Sequence, residues 1–173
     1  MPVHRSPAKD GVSEIVVRAA TLHDLDTVLE LRLALLREAP DHPIYGRLAL
    51  DVERRARDLF AAQLKSINET IYVALIAGEI VGIVRCVETS GSILFEPSRY
   101  AYVSSAYVRP TARRLGVLRA LMVAAERWAR LRGFEQMRLH NVPGSAEAEG
   151  AWAALGFAVV EQVRMRSVAR KDR

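Results

Sequence analysis

The sequence predicts one α/β domain with a mixed antiparallel and parallel sheet and helices on both faces. Three observations carry that expectation. The chain has 173 residues and is half apolar, enough for one substantial core and short of the size at which two full domains become the better expectation. Its β-branched segments are joined once by a short glycine-containing connection, once by a loop and elsewhere by helical stretches. A strong amphipathic helix follows almost directly on a strand that ends at a proline.

Taken in order, Glu14–Ala20 reads as a first strand. Thr21-Leu-His-Asp24 then resembles a capping box, the threonine oxygen accepting a backbone N–H and Asp24 favouring the positive end of a helix. Leu25, Val28, Leu29, Arg32 and Leu36 keep helical spacing with Arg32 the one polar interruption, until Pro40 and Pro43 break the run. Asp51 caps a second helix that carries Val52, Leu59, Phe60 and Leu64 to about Asn68. Thr70–Ala77 and Ile80–Glu88 form a hairpin across Ala77-Gly78-Glu79. Ser90–Arg99 is a loop and Tyr100–Val108 a strand ending at Pro110. Arg114–Arg132 is the clearest helix, with Leu118, Leu121, Met122, Ala125 and Trp128 on one face and Gly133 as its stop. Gln136–Val142 is a fifth strand, Ser145–Leu155 a short helix, and Phe157–Val168 a final strand. The order is β-α-α-β-β-β-α-β-α-β; hairpin links require antiparallel pairs and the strand-helix-strand crossovers parallel ones. No repeat or linker divides this body, which spans 14–168 between a mobile tail at 1–13 and a short tail at 169–173.

Composition excludes several functions. No apolar run approaches the roughly 18 residues of a membrane span, and the opening MPVHRSPAKDGVS has no apolar core of a secretory signal. A single cysteine, Cys86, excludes an internal disulfide framework and fits the reducing cytoplasm. The net charge of +5 does not point to nucleic acid: only Lys9, Lys65 and Lys171 of the 25 basic residues are lysines, and the arginines are interspersed with acids throughout. A nucleic-acid module concentrates its charge and interleaves aromatics for stacking. No spacing of His, Cys, Asp or Glu suggests a metal.

The stretch Val108-Arg-Pro-Thr-Ala-Arg-Arg-Leu-Gly-Val-Leu-Arg-Ala-Leu121 places a strand end, a proline, arginines and a glycine just ahead of the best helix. A helix start offers unpaired N–H groups and about half a positive charge, which suits a phosphate. Gly116 lets a ligand approach the backbone, and Arg113, Arg114 and Arg119 add charge. The same residues also fit an ordinary strand-to-helix turn with exposed arginines.

This stretch resembles the acyl-CoA-binding motif of the GNAT superfamily of N-acyltransferases, a strand ending Val-x-Pro followed by Arg/Gln-x-x-Gly-x-Gly/Ala. Val108-x-Pro110 and Arg113-x-x-Gly116 match, while Leu118 stands where a small residue is usual. Ala148-x-x-x-Trp152-x-x-x-Gly156-Phe157 is similar to that family's Ala-x-x-x-Tyr-x-x-x-Gly-Phe, and the element order is similar over about Glu14–Val168. The resemblance implies N-acetyl transfer from acetyl-CoA to a primary amine of a small molecule or peptide, by direct attack in a ternary complex. It also implies that the pantetheine arm bonds main-chain groups of Ala106, Tyr107 and Val108 like an added strand. The pyrophosphate would sit on backbone N–H groups of Arg114, Leu115, Gly116, Val117, Leu118 and Arg119, beside Arg113. Neither a membrane nor nucleic acid enters as a partner; a homodimer is compatible with the family.

The usual proton-transfer groups are absent. An amine of ordinary basicity must lose a proton before attacking, and the strand positions that often carry a carboxylate hold Ser104 and Ser105, which can only order a water. Trp152 replaces the tyrosine that often serves as the acid. Ser145 replaces an asparagine and reads either as an N-cap or as a pantetheine contact. His140 is the candidate base, since an imidazole titrates at about 6.5; packing against the helices or a bond to a main-chain carbonyl is the plain alternative. Tyr72, Tyr102 and Tyr107 are strand tyrosines, any of which can stand in for the missing acid. His23 and His42 read as solvated, and Cys86 as a core thiol. For the acceptor, the loops Arg37–Arg47, with Glu38, Asp41 and Tyr45, and Ser90–Arg99, with Phe95 and Glu96, are the two candidates. A degenerate acyl-CoA-binding sensor or partner module without efficient transfer is the alternative function.

Overall fold

The computed structural model describes residues 14–142, 145–166 and 168, so the tails expected at 1–13 and 169–173 lie outside the described residues. The chain divides into a larger compact unit ending at His140 and a smaller one beginning at Asn141. The larger unit runs β1 (Ile15–Ala19), α1 (Leu25–Arg37), α2 (Val52–Gln63), β2 (Glu69–Ile76), β3 (Glu79–Ser90), β4 (Arg99–Val108), α3 (Val117–Leu131) and β5 (Met137–Leu139). The five strands lie in chain order in one sheet. The first three neighbouring pairs are antiparallel and β4–β5 is parallel. This is the mixed α/β sheet the element order predicts.

Strand period decides which residues meet which helix. Ile71, Val73, Ile83 and Tyr107 form one buried cluster with Val28, Leu29, Leu31 and Leu33 of α1 and Ala56 and Phe60 of α2. The opposite face of β3 carries Gly82, Val84 and Cys86, all buried. Here α3 sets down Val117, Leu121, Met122, Ala125, Trp128 and Ala129. Gly82 is what allows that approach. A Cβ on it would stand 3.0 Å from the Tyr107 carbonyl oxygen, 3.1 Å from Val117 Cγ1 and 3.2 Å from Leu121 Cδ1.

At the β1–α1 junction the expected capping box forms between Thr21 and Asp24. Asp24 is buried and its carboxylate accepts from the Thr21 N–H (2.8 Å) and hydroxyl (3.1 Å). It also accepts two bonds from the Arg18 guanidinium, at 2.7 and 2.8 Å. Arg18 above all, with help from Thr21 and against the effect of burial, holds this carboxyl well below the usual range.

Other boundaries differ for physical reasons. Helix α2 ends at Gln63 rather than near Asn68, because Lys65 and Ser66 N–H groups turn back to the carbonyls of Ala62 and Gln63. Helix α3 begins at Val117 rather than Arg114, since Arg114 (φ +65°) and Gly116 (φ +90°) lie in the left-handed region that an α-helix excludes. Strand β5 stops at Leu139, so His140 lies one residue beyond the strand on which it is expected.

In the smaller unit α4 (Ala146–Ala154) is capped by Ser145, whose Oγ accepts from the Ala148 N–H at 3.2 Å. Trp152 meets Phe157 edge-on at 5.6 Å. The final strand expected over Phe157–Val168 is not formed by its described residues. Val159, Val160 and Val163 are exposed, and without a ladder partner β-branched composition alone does not make a strand.

Candidate active site

The turn between β4 and α3 exposes main-chain donors. After Val108 the chain makes a single 3-10 turn, Pro110–Ala112, and then enters the two left-handed residues Arg114 and Gly116. The first helical bond runs from the Ala120 N–H to the Gly116 carbonyl (3.0 Å). The N–H groups of Val117, Leu118 and Arg119 therefore precede the first N–H that finds a helical carbonyl, and they gather at its positive end. A Cβ on Gly116 would meet only Ile15 Cδ1, at 4.0 Å, so conformation rather than crowding demands the glycine there. Arg114, Leu115 and Arg119 are exposed, Leu118 is half-buried and Val117 is buried.

Two arginines brace this turn from below. Arg109 makes a forked pair with Glu30 on α1 (2.8 and 3.1 Å) and donates to the Ile80 carbonyl at 3.2 Å. Arg113 donates through Nε to the Val108 carbonyl at 3.1 Å, lies 5.8 Å over the Tyr107 ring and pairs with Glu38 just beyond α1. Of the three arginines of the motif, Arg113 is thus engaged with the scaffold, whereas Arg114 and Arg119 point outward from it.

Strand β4 has a free edge beside the turn. It pairs with β3 along its length, from Arg99 opposite Ser90 to Val108 opposite Gly82. With β5 it pairs only through Ala101, Tyr102 and Val103, opposite Met137, Arg138 and Leu139. Beyond Val103 it has no ladder partner on that side among the described residues. The cause is a bulge. Ile83 faces Tyr107 and Arg85 faces Ser104, so the single residue Val84 is matched by both Ser105 and Ala106. Ser105 is buried and carries a φ of +53°. The extra residue kinks β4 locally, and Ala106, Tyr107 and Val108 have no strand partner on the β5 side among the described residues.

The face of the sheet beneath α1 is lined by polar side chains at its β4 end. Ile71, Arg85 and Ser104 lie in one cross-strand row. Arg85 donates through Nε to Glu69 (2.5 Å) and through Nη1 to Ser104 Oγ (3.3 Å). Two residues along β4, the Tyr102 hydroxyl lies 3.0 Å from His140 Nδ1, with ring centroids 5.4 Å apart. Burial first, then Tyr45 and Tyr100, push the Tyr102 phenol up, against the opposing pull of Arg85 and Arg32; it stays neutral near pH 7. Arg32 reaches this face from α1. It is half-buried and makes no hydrogen bond or ion pair with any described residue.

Tyr45 borders this face; the remaining sequence candidates fall outside it. Glu38 is taken by Arg113, and Tyr45 stacks on His42 at 4.6 Å. His42 is a loop organiser rather than a solvated side chain: its Nδ1 accepts from the N–H groups of Ile44 (3.2 Å) and Tyr45 (3.1 Å). Phe95 is exposed on its loop. Cys86 is buried, its thiol pushed up by burial to about 12. Among the described residues no group of three or more His, Cys, Asp or Glu can hold a metal, and no helix is long and apolar enough to cross a membrane. The shallow groove between α1 and α2, lined by Asp26, Leu29, Glu30 and Arg57, shares no residue with the turn or with the Tyr102–His140 pair. Arg85 and Gly82 escape a linear reading; the polar interruption at Arg32 is the visible trace of the face that Arg85 lines beneath α1, whereas Gly82 lies on the opposite face.

Residues 33–157 match the Acetyltransferase (GNAT) family. A 64-residue stretch, 37% of the chain, is 42% identical to the aminoglycoside N(6')-acetyltransferase type 1 of Klebsiella aerogenes and spans 42% of that protein's length. The fold is shared with an aminoglycoside N-acetyltransferase, AAC(6')-Iy, solved in complex with CoA, at a TM-score of 0.75 and 20% identity over 94% of this chain and 99% of that one. It is shared too with a predicted acetyltransferase from Clostridium acetobutylicum solved with acetyl-CoA, at a TM-score of 0.72 and 15% identity over 89% and 96% of the two chains. At such identities the likeness is one of fold.

Proposed function

The chain belongs to the acetyltransferase (GNAT) family, and from that premise we propose that it transfers the acetyl group of acetyl-CoA to a primary amine of a small molecule or peptide. The observation that carries the reading is the free edge of β4 opening directly into the donor-rich start of α3. One continuous main-chain surface then accepts both halves of an acyl-CoA. The pyrophosphate fits against the N–H groups of Arg114, Leu115, Gly116, Val117, Leu118 and Arg119. The amide-bearing pantetheine arm fits against Ala106, Tyr107 and Val108 as an added strand. Arg113 holds the turn in place from the scaffold side. Bound CoA and acetyl-CoA in the two solved structures above support the choice of donor.

With the thioester at the bulge, the amine lone pair attacks the carbonyl carbon and a C–N bond forms. The oxyanion is stabilised by the N–H of Ala106 or Tyr107, preorganised by the strand. The C–S bond then breaks with its electron pair on sulfur, and CoA thiolate leaves. Tyr102 and His140 manage the proton shed by nitrogen. With Nδ1 bare, the phenol passes its proton to the ring as its oxygen takes one from the amine or a bridging water. With Nδ1 protonated and donating to the phenol, Nε2 takes the proton directly. Tyr102 thus stands where neither Ser104 nor Ser105 can act as a base, and Ser104 orders the acceptor side from its bond to Arg85. The domain proposed for this activity runs over 14–168 and works in the cytoplasm.

Titration calorimetry with acetyl-CoA, followed by CoA release over an amine and peptide panel, tests the reading. Absence of acetyl-CoA binding overturns it. Binding without turnover above thioester hydrolysis supports instead an acyl-CoA-binding module, which the serines at 104 and 105 and the tryptophan at 152 favour.

A further inference from the structure

We propose that the acceptor amine carries an anionic group, a carboxylate or phosphate, which pairs with Arg32 beside Arg85 on the sheet face beneath α1. The inference rests on the acyl-transfer reading and names the substrate class of that same site.

Arg32 breaks an otherwise apolar stripe. Its neighbours at helical spacing, Val28 and Leu29, are buried in the core cluster, so Arg32 shares the helix face turned to the sheet and is itself half-buried. The charged and titratable groups that face it are Arg85, Tyr45 and Tyr102. Two of these are phenols. The third repels it, and its charge is taken up by Glu69 at 2.5 Å. Two guanidinium groups therefore confront one carboxylate, which leaves a net charge of +1 on a face with no spare anion among the described residues. Burial and the nearby Arg85 both work against the Arg32 cation, which nonetheless stays protonated as arginine does in proteins. A half-buried charge without a partner is costly, and an oxyanion offered to its planar fork recovers that cost.

The geometry ties this charge to the acceptor rather than to the donor. Tyr102 touches His140, where the amine loses its proton, and is also the phenol coupled to both arginines. An acceptor held between Tyr102 and the bulge of β4 reaches Arg32 with a substituent on the far side of its amine. The donor's phosphates are accounted for at the other end of β4, on the α3 turn. A polycationic acceptor meets like charge here, so aminoglycosides, the substrates named for the relatives, are poor acceptors for this chain.

The test compares matched amines by CoA release: glycine and γ-aminobutyrate for carboxylates, phosphoethanolamine for phosphate, ethanolamine as the neutral control and kanamycin as the polycation. The wild type is expected to prefer an anionic amine over ethanolamine by at least about tenfold in kcat/KM. Arg32→Gln is expected to abolish that preference through KM, and Arg32→Lys to restore part of it, while calorimetric acetyl-CoA affinity stays within about twofold. The carboxylate and phosphate arms separate the two anions. Turnover that favours ethanolamine or kanamycin, or an Arg32→Gln loss that is equal for all amines, overturns the proposal and leaves the transfer reading intact. A second readout is independent of turnover: thermal shift by phosphoethanolamine or γ-aminobutyrate in the presence of CoA, in wild type and Arg32→Gln. A shift that depends on Arg32 without turnover upholds the anion site and removes the transfer reading; no shift and no turnover overturns both.

Discussion

The two ends of β4 are built from different materials. At its C-terminal end the free edge and the α3 turn present main-chain groups, and the side chains there serve to hold the backbone: Gly116 allows its fold and Arg109 and Arg113 brace it. Towards its middle, under α1, the working groups are side chains from four places, Arg32 on α1, Arg85 on β3, Tyr102 and Ser104 on β4, and His140 beyond β5. A backbone surface recognises what every acyl-CoA shares. A side-chain surface can be rewritten residue by residue without disturbing it. On the proposed reading, donor recognition falls to the first and acceptor choice and proton transfer to the second.

The sharpest way to break that division is at His140. His140→Ala is expected to lower kcat by about a hundredfold, the lower range for a general base, and to leave acetyl-CoA affinity unchanged. Tyr102→Phe should lower it comparably, because the two act as a unit and their effects will not add. Rates are to be measured with a true acceptor from about pH 6 to about pH 9. An unchanged rate and pH profile for both variants would remove the pair from the mechanism.

The converse test is Gly116→Val. At φ +90° a β-branched residue strains the turn by about 1–3 kcal/mol, and the turn escapes by repositioning its N–H groups. Acetyl-CoA affinity is expected to fall by roughly 10- to 100-fold, read by calorimetry, while melting temperature falls by no more than about 10 °C, because the exposed position loses no packing. Affinity retained within a factor of two would mean that the α3 turn does not carry the pyrophosphate. Gly82→Ala attacks the same surface from beneath. Its methyl group is squeezed between the Tyr107 carbonyl, Val117 and Leu121, so a loss of about 1–3 kcal/mol in stability is expected, read from chemical denaturation. A neutral result would show that α3 rides less tightly on the sheet than the contacts imply.

The same contrast governs what could be read from the chain. The donor end was legible because a proline, a glycine and a helix start lie within a few residues of each other. Even so, the expected start of α3 lies three residues ahead of the observed one, since nothing in an arginine's identity announces the left-handed turn at Arg114. The acceptor face was legible only as an anomaly, one charged residue in an apolar stripe. Its partners sit on strands whose pairing depends on register, and the bulge that aligns Arg85 with Ser104 leaves no mark in local spacing. The expected last strand is not formed by its described residues for a related reason: the β-branching of Phe157–Val168 marks a segment able to pair, and pairing is decided elsewhere. Tyr102 was one of three equal tyrosines until the short β5 delivered His140 to it.

The smallest expected effect discriminates most finely, because it asks whether Arg113 is a brace or a ligand. Its ion pair with Glu38 is partly exposed, with side-chain accessibilities of 32% and 44%, and such pairs contribute at most about 1 kcal/mol. If Arg113 only straps the turn to the end of α1, then Arg113→Gln and Glu38→Gln loosen the same strap. Each should weaken acetyl-CoA binding by about two- to fivefold, and the double variant no further. If Arg113 instead grips the pyrophosphate, Glu38→Gln releases it and affinity rises, whereas Arg113→Gln costs at least about tenfold, with a loss of one phosphate-linked step in the salt dependence. Parallel losses that fail to add keep the donor end a backbone surface; opposite signs would make it, in part, a side-chain site like its neighbour.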